Sequence, residues 1–176
     1  MTANVMNSAE ERLATVASRL RSKPWFKKNE WIISTHPFPA KSPEAVTFHA
    51  FKKHWFNEDH HGIHVESYLM LDPRKQKKSY VTVHLLHEDF IRGNKISRKV
   101  LAKEFVDSIF DQVSDWDGYK FRAGKYGVQP FTKLLDGSAK DFEKTLELEV
   151  TRICTKLGPY IDDAIRSTTK QRGGQK

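Results

Sequence analysis

A single cysteine, Cys154, among 176 residues leaves no partner for an internal disulfide and no thiolate set for a zinc knot. With Ile153 and Leu157 as neighbours, it reads as a buried, unreactive thiol. Long apolar runs are missing too, and nothing approaches the roughly 20 residues that a membrane span requires. The opening MTANVMNSAEER has no apolar stretch behind a basic flank, which argues against a secretory leader. A cytoplasmic protein with no membrane partner is the expectation. Motifs that would name a reaction are equally scarce. There is no HExxH helix and no Gly-x-Ser-x-Gly elbow, and Gly124-Lys125 in RAGKYG lacks the frame of a phosphate cradle. Acidic residues are the outnumbered sign, 22 against 30 Lys plus Arg, and the resulting +8 favours a polyanionic partner such as nucleic acid.

What is present is hydrophobic patterning of two kinds. Ser8 and Glu11 stand at capping-box spacing, Leu13, Val16, Ala17 and Leu20 follow on one helical stripe, and Pro24 closes the element. EWIIST reads as a short strand, and HPFPAKSP, with three prolines, as an extended loop. Period-two alternation then recurs in three successive segments. AVTFHAFKKHW sets Val46, Phe48 and Ala50 against Thr47, His49 and Phe51. GIHVESYLML sets Ile63, Val65, Leu69 and Leu71 against His64, Glu66, Tyr68 and Met70. SYVTVHLLHEDF sets Val81, Val83 and Leu85 against Thr82, His84 and Glu88.

The second half is mostly helical. Ser97 opens a helix with Leu101, Phe105, Ile109 and Val113 at four-residue spacing, and GYKFRAGKYGVQPFTKLL predicts one or two strands about a turn. Ser138 is expected to cap a long helix bearing Phe142, Leu146, Val150, Ile153 and Leu157, broken or kinked at Gly158-Pro159. The fold class is therefore α+β. A mainly antiparallel sheet, a three-strand meander plus added strands, carries helices on one face in the order α-β-β-β-β-α-β-α. Residues 8–166 make one domain between a flexible N-terminus, 1–7, and a flexible basic tail, 167–176.

The alternation also fixes which polar side chains meet, because opposed residues of an antiparallel pair share a face. Aligning the apolar positions puts His49, His64, Glu66 and His84 together, with Glu66 flanked by His49 on one side and His84 on the other. Imidazoles around one carboxylate suit a divalent metal as cofactor, with zinc, iron and manganese as candidates. The same group suits acid/base catalysis by Glu66, His64 and His84. A half-exposed polar sheet face would also carry such residues without any chemistry. His60 and His61 in NEDHHG lie in the preceding hairpin loop, where a solvated turn is expected although they could complete a site from the rim, and His36 precedes Pro37 in its loop.

Two stretches interleave cations with aromatics, as single-stranded nucleic acid would require. RSKPWFKK contributes Lys23, Trp25, Lys27 and Lys28, and FKKHWF contributes Lys52 and Lys53. DPRKQKKS adds Arg74, Lys75, Lys77 and Lys78 on one hairpin. The element order over residues 8 to 133 is similar to that of the restriction-endonuclease-like nucleases. That resemblance implies a first acid, for which Glu66 is the match, and an acid-x-lysine on the next strand, holding magnesium. The next strand reads YVTVHLLHEDF and carries no acid-x-lysine. Three functions follow: a nucleic-acid-associated and nuclease-like protein, a metal or acid/base enzyme on the histidine face, and a non-catalytic interaction module. Nucleic acid or another polyanion is the leading partner, and a homo-oligomer is compatible with all three.

Overall fold

The computed structural model describes residues 8–87 and 97–170. Among them six strands form one antiparallel sheet: β1 (Trp31–Phe38), β2 (Ala45–Lys52), β3 (His64–Met70), β4 (Ser79–His84), β5 (Tyr119–Phe121) and β6 (Phe131–Leu135). Their spatial order is β1-β2-β3-β4-β6-β5, so the meander expected from alternation forms the centre of the sheet. Val46, Phe48 and Ala50 of β2, Val65 and Leu69 of β3, and Val81 and Val83 of β4 are all buried in one core. Burying these residues on a single face is what fixes the pairing, since a slip by one position would turn every one of them outward.

Among the described residues five helices complete the α+β architecture: α1 (Ala9–Arg21), α2 (Pro24–Lys28), α3 (Arg98–Ser114), α4 (Phe142–Lys156) and α5 (Gly158–Lys170). The Ser8–Glu11 capping box is formed, each side chain bonding the other residue's backbone N–H. Leu13, Val16 and Leu20 bury the inner stripe of α1 against the sheet, and Arg12 bonds Glu143 to hold α1 beside α4. None of the described helices is long and apolar enough to cross a membrane.

Several local expectations are corrected. Strand β1 does not stop before the prolines but continues through Phe38, with Pro37 opposite Val46. This is an edge strand, where a residue without an N–H costs no ladder bond on its outer side. Pro24 does not simply end a helix; it occupies the first turn of α2, where its fixed φ is suitable. Ser138 is not the cap of α4. Its hydroxyl bonds Asp136, and Asp141 takes the capping position without a side-chain bond. Helix α5 runs to Lys170, and Thr168 is buried, so residues 167–170 belong to the folded unit rather than to a loose tail. Residues 1–7 and 171–176 lie outside the described residues, as do Glu88 and Asp89.

One loop decides how the polar face of the sheet is closed. Between Trp55 and β3 the chain turns back on itself, with Phe56 and His60 both in the left-handed region at φ 59° and 66°. The Ile63 N–H bonds the Trp55 carbonyl at 2.9 Å, closing the loop at its base. Gly62 sits where the loop crosses itself, and a Cβ there would fall 1.9 Å from the Phe56 carbonyl oxygen. Backbone cannot yield as a side-chain tip can. Gly62→Ala is therefore expected to cost about 3–4 kcal/mol, at the severe end for a single substitution. Denaturant unfolding measures this as a lowered midpoint, and a loss below about 1 kcal/mol would contradict the close-approach account.

Candidate metal centre

The face opposite the core is buried at its centre. His49, His64 and His84 are 3%, 0% and 4% exposed, so the picture of a wet polar face does not hold. Glu66 of β3 lies opposite His49 of β2 and opposite Thr82 of β4, while His64 lies opposite His84. The sequence-based register thus errs by two residues on the β4 side, because parity fixes the face but not the offset along the strand. The structure brings all four of these residues into one cluster. Seven of the eight histidines join it, which makes it a continuous row rather than a scatter of polar residues. His64 stacks on His49 at 3.6 Å between ring centroids and on His84 at 4.7 Å. His36 meets His49 at 4.7 Å and stacks on His60 at 3.9 Å. His84 continues to His87 at 4.2 Å, and His87 to His61 at 5.1 Å. His54 stands apart, bonded to Asp162.

Glu66 organises the row. Its Oε1 accepts from the Tyr80 hydroxyl at 2.5 Å and from Gln129 Nε2 at 3.0 Å. Its Oε2 is left facing two imidazoles, with His64 Nε2 at 3.4 Å and His49 Nε2 at 3.6 Å. Asn57 orients the rings from behind. Its Oδ1 accepts from the Gly62 N–H at 3.1 Å, which fixes the amide, and contacts His64 Nδ1 at 2.9 Å. The Gly62 carbonyl also lies 3.1 Å from that nitrogen. Both neighbours only accept, so the proton of a neutral His64 is on Nδ1 and its bare Nε2 points at the carboxylate. Two acceptors held face to face repel unless a proton or a metal cation lies between them.

The electrostatics favour the cation. Burial lowers His64 well below the ordinary imidazole value, against the opposing pull of Glu66, and lowers His49 in the same way. Burial also takes His36 and His84 down to about 4. Burial would raise Glu66, but the surrounding imidazoles outweigh it and hold the carboxyl well below its usual range. At neutral pH the site is therefore one carboxylate among uncharged rings. Among the described residues no lysine or arginine is ion-paired with Glu66. His64 Nε2 is already bare, as metal binding demands, whereas His49, whose Nδ1 lies 3.5 Å from the Asn57 amide nitrogen, must release its Nε2 proton or change tautomer to bind.

Geometry gives the same answer. One donor atom each from His49, His64 and Glu66 lie within 4.8 Å of one another. Tetrahedral zinc with bonds of about 2.0–2.1 Å separates its ligands by about 3.3–3.4 Å. The observed 3.4 and 3.6 Å from Glu66 are close to this, and the rings of His49 and His64, stacked at 19° between planes, must tilt apart to aim both nitrogens at one ion. Two imidazoles and one carboxylate oxygen suit a zinc-class ion far better than magnesium, which prefers oxygen donors.

Sequence reasoning missed Asn57, Tyr80 and Gln129. Tyr80 was within reach, since it shares the face parity of Thr82 and His84, but Asn57 and Gln129 arrive from loops that carry no periodic signal. The residues read as a nucleic-acid surface do not form one surface. Trp25 packs edge-on against Phe26 and Trp31, and Trp31 against fully buried Trp55. Lys23 pairs with Glu147, Lys52 with Asp162, and Arg74 with Asp72. Lys27, Lys28, Lys53, Lys75, Lys77 and Lys78 are exposed. Trp31 pairs with Lys52 at one end of the sheet, while Ala45 pairs with Met70 at the other. An eight-residue strand, about 23 Å long, thus separates the two basic segments. Comparison of the chain with protein-family models, with curated proteins and with solved structures finds no match.

Proposed function

We propose that this chain is a metal-dependent protein that holds one divalent ion of the zinc class through His49, His64 and Glu66, and that the bound ion activates water for hydrolysis. The observation that carries this reading is the pair of bare acceptors, His64 Nε2 and Glu66 Oε2, held 3.4 Å apart in a buried site. Three protein donors leave a fourth position for water, the arrangement of catalytic rather than structural zinc sites. A bound ion of this class would supply a water acidified to near neutral pH. His84, stacked on His64, would flank that position. Tyr80 and Gln129 keep the carboxylate oriented, as outer-shell partners of ligands do.

Elemental analysis of tag-free protein is the direct test. About one equivalent of a zinc-class metal is expected, retained through gel filtration. Protein that carries none, and takes up none from a zinc-buffered solution, rules the reading out. The hydrolytic part is checked separately by cleavage of activated esters and phosphodiesters, which chelation should abolish and zinc restore.

Association with nucleic acid is a second reading, favoured by the charge of +8 and by exposed Lys75, Lys77 and Lys78 on one hairpin. With the basic segments apart, few phosphates would be met at once. The affinity for a labelled oligonucleotide should then fall with salt on a shallow slope, about three ions released. No binding at low salt would remove this reading and leave the metal centre untouched.

A further inference from the structure

The histidine row extends past the three ligands, and its other arm has the makings of a site of its own. His36 on β1 and His60 on the closing loop stack on each other, and both lie against His49, which itself stacks on His64. One ring nitrogen from each of His36, His49 and His60 lies within 4.8 Å of the other two. The Nδ1 atoms of His36 and His60 are buried, and neither has a hydrogen-bond partner among the described residues. The Ser34 hydroxyl, on the residue paired with His49, is buried and unpartnered as well. Native interiors satisfy such atoms almost without exception, so a cluster of them signals a ligand to be accepted.

We propose that His36, His49 and His60 form a second cation position beside the first, filled only after it and held more weakly. This rests on the metal reading of His49, His64 and Glu66 and deepens it. The donors are uncharged imidazoles, which suit the same zinc-class ions. Two physical features set the order of filling. The second position has no carboxylate of its own, so its cation meets repulsion from the first with no local charge to offset it. It also asks His60 to turn from its stacked position, which a loop residue only partly buried can do. His49 is the shared wall. One ring serves two ions only by presenting a nitrogen to each, so the Nδ1 that lies 3.5 Å from the Asn57 amide nitrogen must be released for the second.

The test is a competition titration of the metal-free, tag-free full chain with Zn²⁺ against a chromophoric chelator. Two equivalents are expected, the second at least about 100-fold weaker because of the repulsion between ions. The double variant His36→Gln, His60→Asn should take one equivalent, with the first affinity within about threefold of the parent. Asn is chosen at 60 because it tolerates the left-handed backbone at φ 66°. His64→Ala should lose the tight step instead. If the parent stops at one equivalent, or the double variant still takes two, the second position is refuted while the first stands. A parent that binds no zinc refutes both. Circular dichroism verifies the fold of each variant, and the single His60→Asn serves if the double variant fails to fold.

Discussion

Glu66→Gln should lose zinc by more than about 100-fold, the upper range for removing a mere outer-shell partner, and should also be the less stable protein without metal. The two effects share a sign because one charge produces both. In the metal-free chain the groups around the carboxylate hold it well below its usual range, so the fold favours the ionised form. A glutamine keeps the carbonyl oxygen that Tyr80 and Gln129 bond, but with the weaker hydrogen bonds of a neutral acceptor. A loss of about 1.5–3 kcal/mol is expected, the range for a hydrogen bond to a charged group. Denaturant unfolding in excess chelator measures the loss, and competition with a chromophoric chelator measures the lost affinity. A variant that retains zinc would mean that Glu66 serves the fold and not a cation.

Acid should unfold the metal-free chain early, starting as the pH drops below about 6.5. The sign follows from the direction of the shifts. His84 titrates near 4 in the folded chain against 6.5 when unfolded, because burial opposes its charge. Below 6.5 the unfolded chain therefore binds the extra proton, and stability falls until the pH passes about 4. For this one ring the loss is on the order of 3 kcal/mol. His49 and His64 are lowered by burial and act in the same sense. His36 does so too, with a smaller share because its greater exposure screens it. Glu66 is also held low, so its contribution is present above the ordinary carboxylate value and lost as the pH falls below it. All these groups thus push the same way, the rings first and the carboxylate after. Unfolding free energy measured from pH 7.5 to 4.5 should decline steeply, and bound zinc should delay the decline. A flat profile over that window would mean that the imidazoles are solvated and the burial of the row is overstated.

Much of the fold was legible because burial on one face imposes a period. Val46, Phe48 and Ala50, then Val65 and Leu69, then Val81 and Val83, announce three strands and the side each presents to the helices. The same parity put His49, His64, Glu66 and His84 on one surface. Local capping chemistry was equally readable where it is self-contained, as at Ser8 and Glu11. It failed at Ser138, whose hydroxyl found Asp136 first, and at Pro37, which is tolerated because β1 happens to be an edge.

Side-chain alternation by itself determined an antiparallel α+β sheet and the histidine-bearing face, since each depends only on neighbours along the chain. Tertiary structure alone decided that this face is covered rather than wet, that His84 meets His64 and not Glu66, and that His36 and His60 join the row. It likewise decided that the basic segments lie at opposite ends of the sheet. Offset between strands and the folding-back of loop 56–62 are set by contacts between residues far apart in sequence. No periodicity in the chain records them.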